Sequence, residues 1–264
     1  MKRVAYLQFS PRLGEAEANR KRLAELLAGR HADVIVLPEL AVSGYALTPD
    51  LLARTAEPAE GPTAEMLTAL ARSTGAHYVC GIAERADGAH YNSAVLVGPR
   101  GLVSVYRKLH LFGFEFELFA PGAQAPRVVE AAGMRLGLMI CFDWIFPETM
   151  RCLALAGAQL VCHPANLVLP HCPEAMITRC LENRVFAVTA NRIGDESRDG
   201  TELYFIGSSQ LVTPAGEVRG RADVDEETFH LAEINPDEAD DKTLSSGNDL
   251  FAERRPELYG RLLD

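Results

Sequence analysis

Three residues of different chemistry each stand where an apolar, strand-like run gives out. Cys141 lies in "GLMICFDWIFPE", residues 137–148, where an apolar run meets a thiol and turns at once into an aromatic segment ending Phe-Pro-Glu. Glu39 follows the buried-looking run "VIVLP", and Lys108 follows "GLVSVYR". A cysteine at a strand end, lifted into a sharp turn before a helix, has the placement of a nucleophile. Pro147 fits the first helical turn, where its missing N–H costs nothing. Free backbone N–H groups at such a turn favour a thiolate and can hold an oxyanion. A carboxylate at the mouth of a buried strand is costly unless it is paired or used. Taken together, Glu39 can accept the thiol proton and later return it to a leaving nitrogen. Lys108, with the backbone N–H of Phe142, can stabilise a developing oxyanion. That set suits attack on a carbon bonded to nitrogen, through a thioester-like intermediate.

The elements that must position these groups are legible in the pattern. The chain opens with a strand in "RVAYLQF" and a helix in "GEAEANRKRLAELLAGR", with Leu23, Leu26 and Leu27 on one face. The near-continuous apolar run "ADVIVLPE" has the character of a strand buried on both faces. "GPTAEMLTALARSTG" is a second helix, with Pro62 near its start and Gly75 as its cap. "AHYVCGIAER", "HYNSAVLVGP" and "GLVSVYRKLHL" follow as strands, and "FGFEFELFAPGAQ" as an aromatic loop. The opening pattern then returns: strand "MRLGLMICF", helix "PETMRCLALAG", strand "AQLVCHPA". A longer helix is expected over "PEAMITRCLENRVFA", with "VTANRIG" and "SSQLVTPAG" closing the sheet. The polar tail, about residues 240–264, reads as an arm that packs on a partner subunit. No composition break divides the chain, so residues 1–264 read as one α/β domain, with two sheets packed face to face and helices outside.

Composition narrows the function classes. The 264 residues carry 26 Lys plus Arg against 36 Asp plus Glu, a net charge of -10. Nucleic-acid binding needs a cationic surface to displace counterions, and no basic stripe is present. The apolar runs fall short of a membrane span and no secretory signal opens the chain. Six cysteines in such a chain are expected as reduced thiols in the cytoplasm.

The three catalytic stretches resemble a known family. "LPELAVSGY", "YRKLHLF" and "CFDWIFPE" are similar to the three signature blocks of the nitrilase, or carbon–nitrogen hydrolase, superfamily. "YNSAVLVGPRG", "FELFAPG", "HPAN" and "ENRVFAVTANRIG" agree with it along nearly the whole chain. The resemblance implies a four-layer αββα sandwich with mixed β-sheets. It implies Glu39 as general base and acid, Lys108 as stabiliser of the tetrahedral intermediate and Cys141 as nucleophile. It also implies a second glutamate before the Pro-Gly: Glu115 and Glu117 are the candidates, and Glu115, six residues before Pro121, fits the family spacing. No cofactor is implied, and members usually form homodimers or higher homo-oligomers through the helices after the cysteine and the C-terminal arm. The reaction implied is cleavage of a small aliphatic amide to ammonia and a carboxylic acid. Phe142-Asp143 after the cysteine leans towards amides, since nitrile-hydrolysing members often carry Trp-Glu there. Compact relatives with a similar Cys-Phe-Asp-Trp block are nonetheless called nitrilases, and a nitrile route through a thioimidate is the alternative.

Other residues are weighed against simpler roles. Cys162, His163, His171, Cys172 and Cys180 lack the tight paired spacing of a zinc site, so no metal is expected. A zinc hydrolase would lose activity to a chelator. His163 and Asn166 are candidates for the substrate pocket, because their strand would end beside the one carrying Cys141. Among the aromatics, Tyr45 and Trp144 are pocket candidates by closeness to Glu39 and Cys141. Cys80, Cys152 and Cys180 read as buried packing. A protein that kept the fold without catalysis would be favoured were one of the three central residues absent, and all are present.

Overall fold

The computed structural model describes residues 1–263. Its first half runs β1 (Lys2–Gln8), α1 (Ala16–Leu27), β2 (Val34–Val36), α2 (Pro49–Thr55), α3 (Pro62–Thr74), β3 (His77–Ala86), β4 (Ala89–Gly98) and β5 (Gly101–Arg107). After the short helix α4 (Glu115–Leu118) come β6 (Val128–Ala131), β7 (Met134–Leu138), α5 (Pro147–Leu155), β8 (Leu160–Pro164), α6 (Cys172–Asn183) and β9 (Phe186–Ala190). The hairpin β10 (Asp195–Arg198) and β11 (Thr201–Tyr204) precedes β12 (Gln210–Val212), β13 (Val218–Arg221) and β14 (Thr228–Ile234).

Two six-stranded sheets result, ordered β14-β1-β2-β3-β4-β5 and β13-β12-β9-β8-β7-β6. Each has three parallel strands at its heart, β1-β2-β3 in one and β7-β8-β9 in the other. Antiparallel strands flank both sets. The period-2 alternation of strands sorts side chains between layers. Val4, Tyr6, Val34 and Val36 point into a cluster shared with Leu136, Leu138, Leu160 and Val188 of the second sheet. Ala5, Leu7 and Ile35 point the other way, onto Leu23 and Leu27 of α1 and Leu67 and Ala71 of α3. Helices α5 and α6 supply Met150, Leu153, Met176 and Cys180 to the far face of the second sheet. The molecule is a mixed α/β sandwich of two sheets with helices outside.

Several elements differ from the sequence reading. The helix expected over residues 173–187 stops at Asn183, where Arg184 adopts a left-handed φ of 49° as its cap. Val185-Phe186-Ala187 belongs to the strand side, because these apolar residues are needed in the parallel core. The strands "VTANRIG" and "SSQLVTPAG" do not finish the sheets. β13 is the edge of the second sheet, and β14 crosses to pair along β1 in the first. α2 goes beyond the sequence reading: Thr48 accepts the Leu51 N–H and Pro49 opens the helix. Cys152 is exposed rather than packed. Part of the tail packs on its own chain: Phe251 lies under Arg151 and Lys242, at 5.2 and 4.9 Å. No helix among the described residues is long and apolar enough to cross a membrane.

Candidate active site

Glu39, Lys108 and Cys141 lie just beyond the ends of β2, β5 and β7, and all three are buried. The end of a parallel sheet, where chain leaves strand, is where α/β proteins gather chemistry. Beyond β2 the backbone keeps pairing with β3: Gly81 N–H donates to Pro38 O at 3.0 Å, and Ala41 N–H donates to Gly81 O at 2.9 Å. Gly81 permits this approach, since a Cβ there would sit 2.3 Å from Glu39 Cα. Lys108 is fixed at both backbone groups. Its N–H donates to Asn92 O and its carbonyl accepts from Gly122 N–H, each at 2.8 Å.

The side chains converge. Lys108 Nζ donates to Glu39 Oε1 at 2.8 Å and to Glu115 Oε1 and Oε2 at 2.7 and 2.8 Å. Asn92 Nδ2 donates to the same Glu39 oxygen at 2.7 Å. Tyr45 OH donates to Glu115 Oε1 at 2.9 Å. Glu39 Oε2 is buried and has no partner. Two carboxylates thus share one ammonium, and one oxygen is left unoccupied. Burial works to lower the Lys108 pKa, but Glu115 and Glu39 outweigh it and hold the ammonium above the ordinary lysine range. Burial raises Glu115 above the usual glutamate range, against the pull of Lys108. Tyr45 is pushed well up by burial and by the carboxylates around it, so it stays a neutral donor.

Cys141 sits on a strained corner. Its φ is 40°, a left-handed value that costs a non-glycine residue roughly 1–3 kcal/mol. A turn over Cys141–Ile145 follows directly and then α5. The corner is pinned from both sides. His163 Nε2 lies 2.9 Å from Cys141 O and its Nδ1 3.0 Å from Thr189 Oγ1. Burial lowers the His163 pKa, so the ring is neutral, donates from Nε2 and accepts the threonine hydroxyl. Asp143 accepts from Ile140 N–H at 2.9 Å and Tyr106 OH at 2.8 Å through Oδ2, and from His110 N–H at 3.1 Å through Oδ1. Burial, and then the charge of Glu39, push the thiol well above its usual range, while Lys108 and the backbone of Asn166 act the other way. The resting group is therefore a thiol, and it needs a base.

Of the other pocket candidates, Tyr45 joins the charged cluster through its hydroxyl. His163 holds the Cys141 backbone and does not present its ring nitrogens to an open site. Asn166 is buried beside the thiol with both Oδ1 and Nδ2 unpaired. Trp144 is not hydrogen-bonded to the cluster. It is partly buried against the apolar cluster of the second sheet, and its carbonyl accepts from Arg179. Glu115 is the glutamate brought to Lys108, whereas Glu117 is on the surface with Arg198. Asn92 and Asp143 were missed as site residues. A buried asparagine inside the apolar strand "YNSAVLVG" was the available signal, since asparagine disfavours strands. Among the described residues no three His, Cys, Asp or Glu side chains gather as a metal site.

Comparison with known proteins places this geometry. A sequence model of the family described as "Carbon-nitrogen hydrolase" matches residues 3–242. The chain belongs to the carbon-nitrogen hydrolase family. It is 43% identical over 266 residues to a nitrilase of Pyrococcus abyssi, covering 99% of this chain and all of that one (100%). It is 36% identical over 263 residues to an (R)-stereoselective amidase of a Pseudomonas species, covering 98% and 93%. Among solved structures it resembles a variant of an amidase from Nesterenkonia sp. AN1, with TM-score 0.83, 26% identity and coverage of 99% and 100%. In that structure acrylamide has added to the active-site cysteine. The two-sheet sandwich with outer helices is thus the architecture of nitrilase-superfamily amidases, as the signature blocks implied.

Proposed function

We propose that this carbon-nitrogen hydrolase cleaves a small aliphatic amide, releasing ammonia and a carboxylic acid through a thioester on Cys141. The carrying observation is the unpaired, buried Glu39 Oε2 in a cluster whose charges act on the Cys141 thiol. A thiol kept protonated by burial gains nothing from a free carboxylate oxygen unless that oxygen takes its proton. In this reading Glu39 accepts the thiol proton as sulfur attacks the carbonyl carbon. Lys108, held cationic, and the Phe142 N–H at the start of the turn stabilise the oxyanion. Glu39 returns the proton to the departing nitrogen, then activates the water that opens the thioester. Glu115 and Tyr45 keep Lys108 aimed, and Asn166 faces the substrate. No step calls for a metal or cofactor.

Hydrolysis of a small nitrile through a thioimidate is the second reading, favoured by the identity to the Pyrococcus nitrilase. A homodimer through α5, α6 and the tail would cover Leu155, Leu181, Leu258 and Leu262, all exposed in the single chain. Six free thiols fit a reducing, cytoplasmic setting. The deciding experiment measures ammonia release from an aliphatic amide and the nitrile of the same skeleton, with Cys141→Ala as control. Faster amide turnover supports the amidase, and faster nitrile turnover replaces it with the nitrilase. Release that survives Cys141→Ala overturns both.

A further inference from the structure

A second buried ion pair lies outside the three signature blocks, and it holds the backbone beneath Tyr45. Arg192 and Glu196 are both buried, and Arg192 Nη1 donates to Glu196 Oε1. Glu196 Oε2 accepts the N–H of Tyr45 at 2.9 Å and of Ala46 at 2.7 Å, across a sequence separation of 151 residues for Tyr45. The Arg192 guanidinium lies over Phe205 at 4.0 Å, and Phe205 meets the Tyr45 ring edge-on at 6.0 Å. Arg192 Nη2 also donates to Pro11 O at 3.3 Å. Gly44 makes room for the carboxylate: its φ is 78°, and a Cβ there would stand 2.8 Å from Glu196 Oε1. The same tyrosine so gripped donates its hydroxyl to Glu115, which in turn holds Lys108.

We infer that Glu196, oriented by Arg192, is a positioning residue that fixes Tyr45 against Glu115 and so sets how strongly Glu115 holds Lys108. The inference rests on the proposed hydrolase reading. Burying a carboxylate and a guanidinium is expensive, and a purely structural loop could be held by backbone bonds alone. What this pair adds is a charge-assisted grip on two successive N–H groups at the one residue that shares Glu115 with Lys108. Without the tyrosine hydroxyl, Glu115 keeps more of its charge for Lys108. The ammonium is then less free to meet an oxyanion.

The test is a double-mutant cycle between Glu196→Gln and Tyr45→Phe, read as kcat for ammonia release from a short primary amide. Losing a hydrogen bond to a charged group predicts a fall in kcat of about tenfold for Tyr45→Phe, with KM little changed. Glu196→Gln should cost a similar factor in the parent protein and under about twofold once Tyr45 is phenylalanine. An equal loss in both backgrounds, or no loss in a folded Glu196→Gln protein, overturns the inference. Should Glu196→Gln not fold, Glu196→Asp keeps the charge beside Arg192 on a shorter arm and takes its place. The same four proteins, each with the exposed Cys152 changed to Ser, are also compared in the rate of Cys141 alkylation by iodoacetamide. That readout decides the coupling independently of substrate. Ammonia release that survives Cys141→Ala would instead strike the thiol reading, and the cycle separates the two failures.

Discussion

Replacing Lys108 by methionine should destabilise the fold far more at neutral pH than in mild acid. The substitution keeps much of the side-chain volume and removes the one cation that Glu39 and Glu115 share, at 2.7–2.8 Å from each. Both carboxylates are wholly buried, so water cannot replace it. Removing one partner of a buried pair costs about 3–5 kcal/mol, much of it the burden of the stranded charge. For a chain of this size that is a fall in Tm of about 6–20 °C. The sign of the pH effect follows from the proton count. Glu115 already has a raised pKa from burial, and loss of Lys108 raises it further. A carboxylate with a raised folded pKa weakens the fold as pH rises from its unfolded value through the folded one. The deficit of Lys108→Met should therefore be largest at about pH 8 and shrink towards about pH 5, as the stranded Glu115 takes up a proton. Glu115→Gln, which leaves one carboxylate for one ammonium, should lose less. Thermal unfolding followed by circular dichroism at the two pH values measures both variants. A Lys108→Met protein as stable as the parent at pH 8, or a deficit that grows in acid, would refute the charge accounting.

Three further outcomes are expected. Mass-spectrometric alkylation with iodoacetamide should label exposed Cys152 as an ordinary thiol, whereas labelling of Cys141 depends on its base; Glu39→Gln should slow Cys141 at least about tenfold and leave Cys152 unchanged. Equal slowing of both cysteines would argue against Glu39 as the base. Gly81→Ala should move Glu39, because the new Cβ would lie 2.3 Å from its Cα; a loss of about 1–3 kcal/mol in urea unfolding and a larger drop in kcat than in KM are expected, and unchanged kcat would show that the approach of β3 to Glu39 does not matter. Asn166→Ala should raise KM for the amide with little loss of stability, since its side-chain amide has no internal partner to lose; a large fall in Tm with unchanged KM would assign it to the fold instead.

The sequence by itself determined the two repeated strand–helix–strand halves, the burial of β2 on both faces, and the places where Glu39, Lys108 and Cys141 leave their strands. These are local facts: apolar periodicity, a proline at a helix start and a charged residue after a buried run are written in neighbouring residues. The family blocks added the choice of Glu115 over Glu117. Only tertiary structure decided which contacts exist. That Glu39 keeps one oxygen unpaired, that Asn92 on β4 ties the glutamate to the lysine, and that Glu196 grips Tyr45 from the far end of the chain all depend on strands brought together over long separations. The ends of short helices and strands went the same way. Phe186-Ala187 suited a helix as well as a strand, and the unfilled place in the parallel sheet made it the start of β9. Cys152 suited a core as well as a surface, and the packing of α5 left it outside. A side chain's burial and its partners are properties of the assembled layers, and local sequence carries them only where the layer has a strict period.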